Sequence, residues 1–245
     1  MIFNYRSSNY YRRHPYGDSR VCYNKFNNTA YIYIAIPKCA SCYMKQIFGT
    51  GTRYNWLDNT YDIPGPEKFE QQVNQAEKRM VAVVRDPIDR WISGVTQALG
   101  NQQAKDIDWE EILSQIVFDN HTEPQVSYLN KVNIDKTVWF YCNHSTVELK
   151  SKQRRNIIPP LQANVQHWIS WQPQSWRSNA KPVFNQKPVS WINSVEDKHS
   201  EAQKIYTDAK EFIASNNSAK QKLKDYYKLD YDLINSIKFY GQQSR

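Results

Sequence analysis

The chain has 245 residues, 40% of them hydrophobic, with a mean hydropathy of −0.78 and a formal net charge of +8. A chain of that length buries enough surface to fold without disulfides or a structural metal, and no segment approaches the ~20 apolar residues that a membrane-spanning helix needs. The pI near 9.2 directs attention to anionic partners such as nucleotides, nucleic acid or acidic glycans, although a solvated basic surface accounts for it equally well.

The first residues, Met1 to Ser8, carry no apolar block that would serve as a signal peptide. A soluble, cytoplasmic protein is therefore expected. Cys22, Cys39, Cys42 and Cys142 are too few and too scattered for a disulfide framework, so reduced thiols are expected. No internal repeat is present, and the length fits one domain spanning 1–245.

Residues 1–28 are rich in Tyr, Arg and Asn without a clear period and read as an irregular extension. Ala30 to Ile36 is a β-branched and aromatic run, hence a buried strand. Cys42 to Phe48 has helical spacing, with Ser41 as N-cap and Gly49 as stop. A polar helix is expected over Glu67–Lys78 and a second buried strand over Met80–Val84. Asp86 then caps a helix that starts with Pro87, where the missing amide costs nothing. Its apolar stripe is Ile88, Trp91, Ile92, Val95 and Leu99. Trp109–Phe118 reads as a helix and Thr137–Tyr141 as a third strand. Residues 157–191, with their prolines and tryptophans, read as a long irregular region. Two helices close the chain, one bearing Ala202 to Ile213 and the other Leu223 to Ile237. Strands alternating with helices predict an α/β fold with a mostly parallel sheet flanked by helices.

Two of these junctions carry chemistry. At the first, Ile36-Pro37-Lys38 runs into the small residues Cys39, Ala40, Ser41 and Cys42 and then Tyr43. A strand feeding a short turn into a helix aims free amides and the positive helix end at one point, a natural anion site with Lys38 beside it. It is not the triphosphate P-loop, because it holds no glycine and its lysine precedes the turn. Taken alone, the segment also reads as an ordinary strand–helix connection. Cys39 and Cys42 also form a C-x-x-C, which admits redox chemistry or half a zinc site, but no second ligand pair follows at zinc spacing. At the second junction Arg85 leaves a strand end, and Ser93 lies two helical turns on, off the apolar stripe. An arginine fork with a hydroxyl suits a phosphate dianion. The alternative pairs Arg85 and Arg90 with Asp86 and Asp89. Two such sites after consecutive strands would flank one crevice at the carboxyl edge of the sheet.

These residues resemble the donor-binding segments of sulfotransferases that use 3′-phosphoadenosine 5′-phosphosulfate (PAPS). Ile36-Pro37-Lys38 and its turn resemble the 5′-phosphosulfate loop. Arg85 to Ser93 is similar to the 3′-phosphate motif Arg-Asp-Pro-x-x-Arg-x-x-Ser. Asn120 to Gln125 is similar to the His-x-x-Pro-Gln segment of the carbohydrate-type branch, and Tyr226 to Tyr231 to its terminal Tyr-x-x-Asp-Tyr helix. The likeness is confined to these islands. It departs from the family at Ala40, often glycine there, and at Cys39 and Cys42, where hydroxyl residues are common.

The resemblance implies a P-loop-like three-layer fold of sulfotransferase type. It also implies transfer of a sulfuryl group to an acceptor hydroxyl, possibly on a carbohydrate, with 3′-phosphoadenosine 5′-phosphate (PAP) as product and no metal. Lys38, Cys39, Ala40, Ser41, Cys42 and Tyr43 would hold the 5′ end, Arg85 and Ser93 the 3′-phosphate, and Lys38 would neutralise charge developing during transfer. The general base is open. No histidine lies between Lys38 and Arg85, and His121 is the first choice because imidazole titrates nearest neutrality. Glu123, Asp58, Asp62, Glu67 and Glu70 are the alternatives, and His144 reads as a loop histidine. Trp168, Trp171, Trp176 and Trp191 suit either sugar stacking or the anchoring of loops. Two rival functions stand beside the enzyme: a family member that binds the nucleotide without catalysis, and a basic nucleic-acid-binding protein, which would leave Arg85 and Ser93 without a purpose.

Overall fold

The computed structural model describes residues 19–25, 27–41, 44, 48, 52–56, 58–102, 104, 106–129, 132–142 and 196–240. Six strands form one mixed sheet: β1 (Arg20–Asn24), β2 (Thr29–Ile34), β3 (Arg53–Asn55), β4 (Thr60–Ile63), β5 (Glu77–Arg85) and β6 (Thr137–Cys142), in the spatial order β4-β3-β1-β2-β5-β6. The core trio is parallel. β2 pairs with β5 from Thr29↔Glu77 to Ile34↔Ala82, and β5 with β6 from Met80↔Thr137 to Arg85↔Cys142. β1, β3 and β4 extend the sheet antiparallel beyond β2. The expected α/β class is therefore present, with the parallel arrangement limited to the central strands.

β2 is buried along its whole length and β5 from Val81 to Arg85, as expected of strands covered on both faces. The register has a direct consequence for the site. Ile34 ends β2 opposite Ala82, so β5 runs three residues further and brings Arg85 level with the loop that follows β2.

Helix α1 (Glu67–Gln75) leads into β5, and α2 (Pro87–Asn101) leads out of it. Asp86 caps α2 as expected, its Oδ1 accepting from Asp89 N at 2.9 Å with Pro87 at the first helical position. The stripe Ile88, Trp91, Ile92, Val95 and Leu99 is buried. It packs against α3 (Trp109–Gln115), α4 (Glu196–Ser215) and α5 (Asn217–Tyr226) through Leu113, Ile205, Ala209, Ile213 and Leu223. A final helix, α6 (Lys228–Ser236), follows. Among the described residues no helix is long and apolar enough to cross a membrane.

Several sequence expectations need correction. Part of the segment read as an irregular extension is β1, which pairs with β2 over five positions. The short β3–β4 hairpin was not anticipated, because Arg53-Tyr54-Asn55 carries no apolar run. α3 stops at Gln115 instead of Phe118: Ile116 turns left-handed at φ 49, and its carbonyl accepts from Trp91 Nε1 at 2.7 Å. The terminal helix is two, broken at Tyr227, where ψ of 21° departs from the helical value. Of the helix expected over 42–48, Ser41 and Met44 are helical; most of the rest, including Cys42 and Tyr43, lies outside the described residues, as do 1–18 and 157–191 with His144 and the four tryptophans.

Candidate functional site

The loop after β2 is backbone-strained where the sequence pointed to an anion site. Lys38 has φ 64 and Ala40 φ 56, a region that costs a side-chain-bearing residue roughly 1–2 kcal/mol. Position 40, where glycine is usual in the resemblance, is thus one where the backbone itself favours glycine. Met44 N donates to Ala40 O at 3.0 Å and Phe48 N to Met44 O at 2.9 Å, the bonds of a helix whose first turn opens at Ala40 and Ser41. The first amides of such a turn have no carbonyl within the helix to meet.

Two arginines from the second junction hold this loop. Arg90 is fully buried, and its Nε donates to Pro37 O at 2.9 Å. Its Nη2 donates to Asn120 O at 3.2 Å and its Nη1 to Glu123 O. Arg85 Nη1 donates to Ser93 Oγ at 3.0 Å and to Lys38 O at 3.4 Å. The local ion pairs weighed for these arginines do not form. Asp86 instead spends one oxygen on its helix cap and the other on Tyr231 Oη at 3.3 Å.

Arg85 stands out at this edge of the sheet. Its side chain is 1% exposed, yet Nε and Nη2 find no hydrogen-bond partner among the described residues. A buried charge is normally paired, because stripping its hydration costs several kcal/mol. Here the fork is left with two unused donors beside a lysine loop and a serine.

The segment Asn120–Gln125 completes the assembly. Gln125 is fully buried and clamps the end of β5, accepting from Arg85 N at 2.9 Å and donating to Arg85 O at 2.8 Å. Its Oε1 also accepts from Cys39 Sγ at 3.2 Å. Burial pushes the Cys39 thiol up to about 12, which disfavours a thiolate there; Cys42, the other half of the C-x-x-C, lies outside the described residues. Gly94 of α2 lets this segment approach: a Cβ there would sit 2.7 Å from His121 O and 2.8 Å from Thr122 Cγ2.

The terminal helices hold the site from behind. Tyr227 Oη donates to Thr122 O, and Asp230 Oδ2 and Oδ1 accept from Gln125 N at 2.8 Å and Val126 N at 2.9 Å. Asp230 is 1% exposed. Burial raises its carboxyl above the ordinary value against the lowering effect of those two amides. Replacing Asp230 with alanine leaves both amides unpaired, at about 1–3 kcal/mol each. The expected result is a melting temperature lower by ~4–24 °C, at the 2–4 °C per kcal/mol usual for this size. A loss under ~2 °C in calorimetry would show that the loop is held by other means.

All four sequence islands therefore meet at the carboxyl edge of the sheet, around Arg85, Arg90 and Gln125. Lys38, Cys39, Ala40, Ser93 and Arg85 fall together, and His121 sits on the neighbouring loop. Three of the alternative carboxylates are engaged locally: Asp58 accepts from Asn55 Nδ2 at 2.7 Å, Glu70 from Gly65 N at 2.9 Å and Glu67 from Gln71 Nε2 at 3.3 Å. The Asp62 side chain lies outside the description. Sequence reasoning missed Asp119, whose carboxylate reaches His121 Nδ1 at 2.9 Å. An Asp two residues before a His is a modest signal, the spacing of a side chain that bonds the backbone two residues on. Burial would push the Asp119 carboxyl up, but hydrogen bonds and charge from His121, with the Lys38 ammonium adding to them, hold it below the ordinary value. The charge of Lys38 is thus felt at the His121 loop. No protein-family model matches the chain, and no curated protein or solved structure matches it.

Proposed function

We propose that the protein is a PAPS-dependent sulfotransferase of P-loop-like architecture, moving a sulfuryl group to an acceptor hydroxyl on a carbohydrate or small molecule. One observation carries the reading: the buried guanidinium of Arg85, bonded to Ser93 Oγ, with Nε and Nη2 unused. A 3′-phosphate supplies the two charge-assisted acceptors that this fork lacks. ATP has no such group. A nucleic-acid surface gives Arg85 no role, because a guanidinium 1% exposed cannot serve an open backbone-binding face.

The donor, when bound, supplies an activated sulfuryl group and a phosphate leaving group. Arg85 and Ser93 would grip its 3′ end, while the turn at Ala40 and Ser41 and the Lys38 ammonium would meet its 5′ end. Lys38 stabilises the negative charge that builds on the leaving oxygen, a task for a preorganised cation in a site closed to water. Arg90 and Gln125 do not touch reactants; they fix the two loops against each other so that this alignment exists before binding.

The test is a thermal-shift comparison of PAP, ATP and a DNA oligonucleotide. PAP at 100-fold its Kd should stabilise the protein by about 2.7 kcal/mol, a rise of ~5–10 °C, with ATP giving clearly less. No shift with millimolar PAP, or an equal shift with DNA, would overturn the reading. If PAP binds, transfer of labelled sulfate to a panel of hydroxyl acceptors separates an enzyme from a protein that only holds the nucleotide.

A further inference from the structure

We propose that Asp119 is the positioning residue that makes His121 the proton acceptor of this site, by holding Nδ1 protonated and leaving the Nε2 lone pair for the acceptor hydroxyl. The inference rests on the sulfuryl-transfer reading for its purpose, but its geometry stands apart from that reading.

Both oxygens of the Asp119 carboxylate are committed to His121. Oδ1 accepts from the His121 backbone amide at 2.8 Å, and Oδ2 lies 2.9 Å from Nδ1. A turn needs only the first of these bonds. The second reaches the ring, and because an ionised carboxylate can only accept, Nδ1 must be the protonated nitrogen. Nε2 then carries the lone pair, and no described group bonds it. The His121 side chain is 24% exposed, so the imidazole is neither sealed in the core nor loose in solvent.

The dyad is itself braced. Thr122 Oγ1 accepts from Asp119 N at 3.2 Å and donates to Asp119 O at 3.0 Å, and Thr122 is fully buried. Arg90 bonds Asn120 O and Glu123 O on either side of His121 and Pro37 O beside Lys38. One arginine therefore sets the distance between the histidine loop and the lysine loop. The ionisable groups around the dyad are Glu123 on the same loop, Lys38 on the loop after β2, Arg90 from α2 and the Tyr128 phenol, which donates to Asn120 O at 2.5 Å.

In the transfer step the acceptor O–H proton passes to Nε2 as a bond forms from that oxygen to sulfur. The bond from sulfur to the 5′-phosphate oxygen breaks, and that oxygen leaves with the electron pair beside Lys38. Asp119 stays ionised and stabilises the imidazolium so formed.

Ring-nitrogen NMR of the full-length protein tests this without any acceptor. Wild type should show His121 protonated at Nδ1 in its neutral form, and Asp119→Asn should shift the ring toward the Nε2–H tautomer. In transfer assays Asp119→Asn and His121→Gln should each lose roughly 10²-fold or more in kcat, with PAP affinity within about threefold of wild type. An Nε2–H tautomer in the wild-type protein overturns the inference even if Asp119→Asn fails to fold. Failure of PAP to bind wild type would instead overturn the transferase reading while leaving the tautomer result intact, so the two failures are distinguishable.

Discussion

Replacing Arg85 with methionine should abolish selective binding of nucleotides bearing a 3′-phosphate at little or no cost to the melting temperature of the nucleotide-free protein. The two effects share one cause. Arg85 is 1% exposed and has two guanidinium nitrogens without a hydrogen-bond partner among the described residues, so the nucleotide-free protein bears a desolvated charge that methionine does not carry. Exchanging buried ionic groups for apolar ones of similar volume often stabilises by 1–4 kcal/mol. The loss of the bonds to Ser93 Oγ and Lys38 O, at about 1 kcal/mol each, offsets part of that. The two terms leave a net change between about −1 and +2 kcal/mol, which is at most ~4 °C down or ~8 °C up in calorimetry. On the binding side, two charge-assisted bonds at about 1.5–3 kcal/mol each vanish, which lowers PAP affinity by ~10²–10⁴-fold. Titration calorimetry with PAP and with adenosine 5′-phosphosulfate, which lacks the 3′-phosphate, separates the specific loss from a general one. A melting temperature lowered by more than ~4 °C, with both nucleotides equally affected, would mean that Arg85 is a structural strut and that its unused donors await no anion.

The division between what was legible in the sequence and what was not follows the range of the forces involved. α2 could be read directly, since Asp86-Pro87 is a local start signal and the stripe from Ile88 to Leu99 has one period. β5 was legible only over its apolar half. Its polar beginning, Glu77 to Arg79, is a strand because β2 offers it partners from Thr29 onward. β1 was missed for the same reason: Arg20 to Asn24 has no alternation of its own and is held by pairing with β2. That the two junctions lie side by side could be anticipated, because two strand ends in one parallel sheet must lie at one edge. The sequence could not show what holds them together. Arg90 sits two short steps from Asp86 and Asp89 and reads as their ion partner, yet it binds the carbonyls of Pro37, Asn120 and Glu123. Backbone acceptors leave no mark in a sequence. The same holds for Asp230, whose two amide donors lie more than a hundred residues away. Of the four resemblance islands, the last two are the struts that join the other two.

Lys38→Ala is expected to lower the rate of sulfuryl transfer by ~10²–10³-fold while weakening binding of the unreacted donor by less than about tenfold. Loss of one preorganised charge-stabilising group costs about 2.7–4 kcal/mol in the transition state, and an interaction that strengthens only as charge develops leaves the complex with the unreacted donor largely intact. Alanine is the right probe because of the backbone. Lys38 sits at φ 64, a conformation whose cost depends on bearing a Cβ; alanine keeps that Cβ and hence the strain, whereas glycine would relax it and loosen the loop. The loop's anchors also survive the change, since Arg85 bonds the Lys38 carbonyl and Arg90 the Pro37 carbonyl, and neither uses the lysine side chain. Removing the ammonium also withdraws one of the influences that hold the Asp119 carboxyl low. A carboxyl lowered on folding contributes stability that is present above its unfolded pKa and lost as pH falls through its folded value. Lys38→Ala should therefore lose stability at a slightly higher pH than wild type on acid titration. Single-turnover kinetics at saturating donor, set beside titration of the donor without acceptor, decides the assignment. If both fall by the same factor, Lys38 is a binding cation and the charge at the leaving oxygen is met by the loop amides alone.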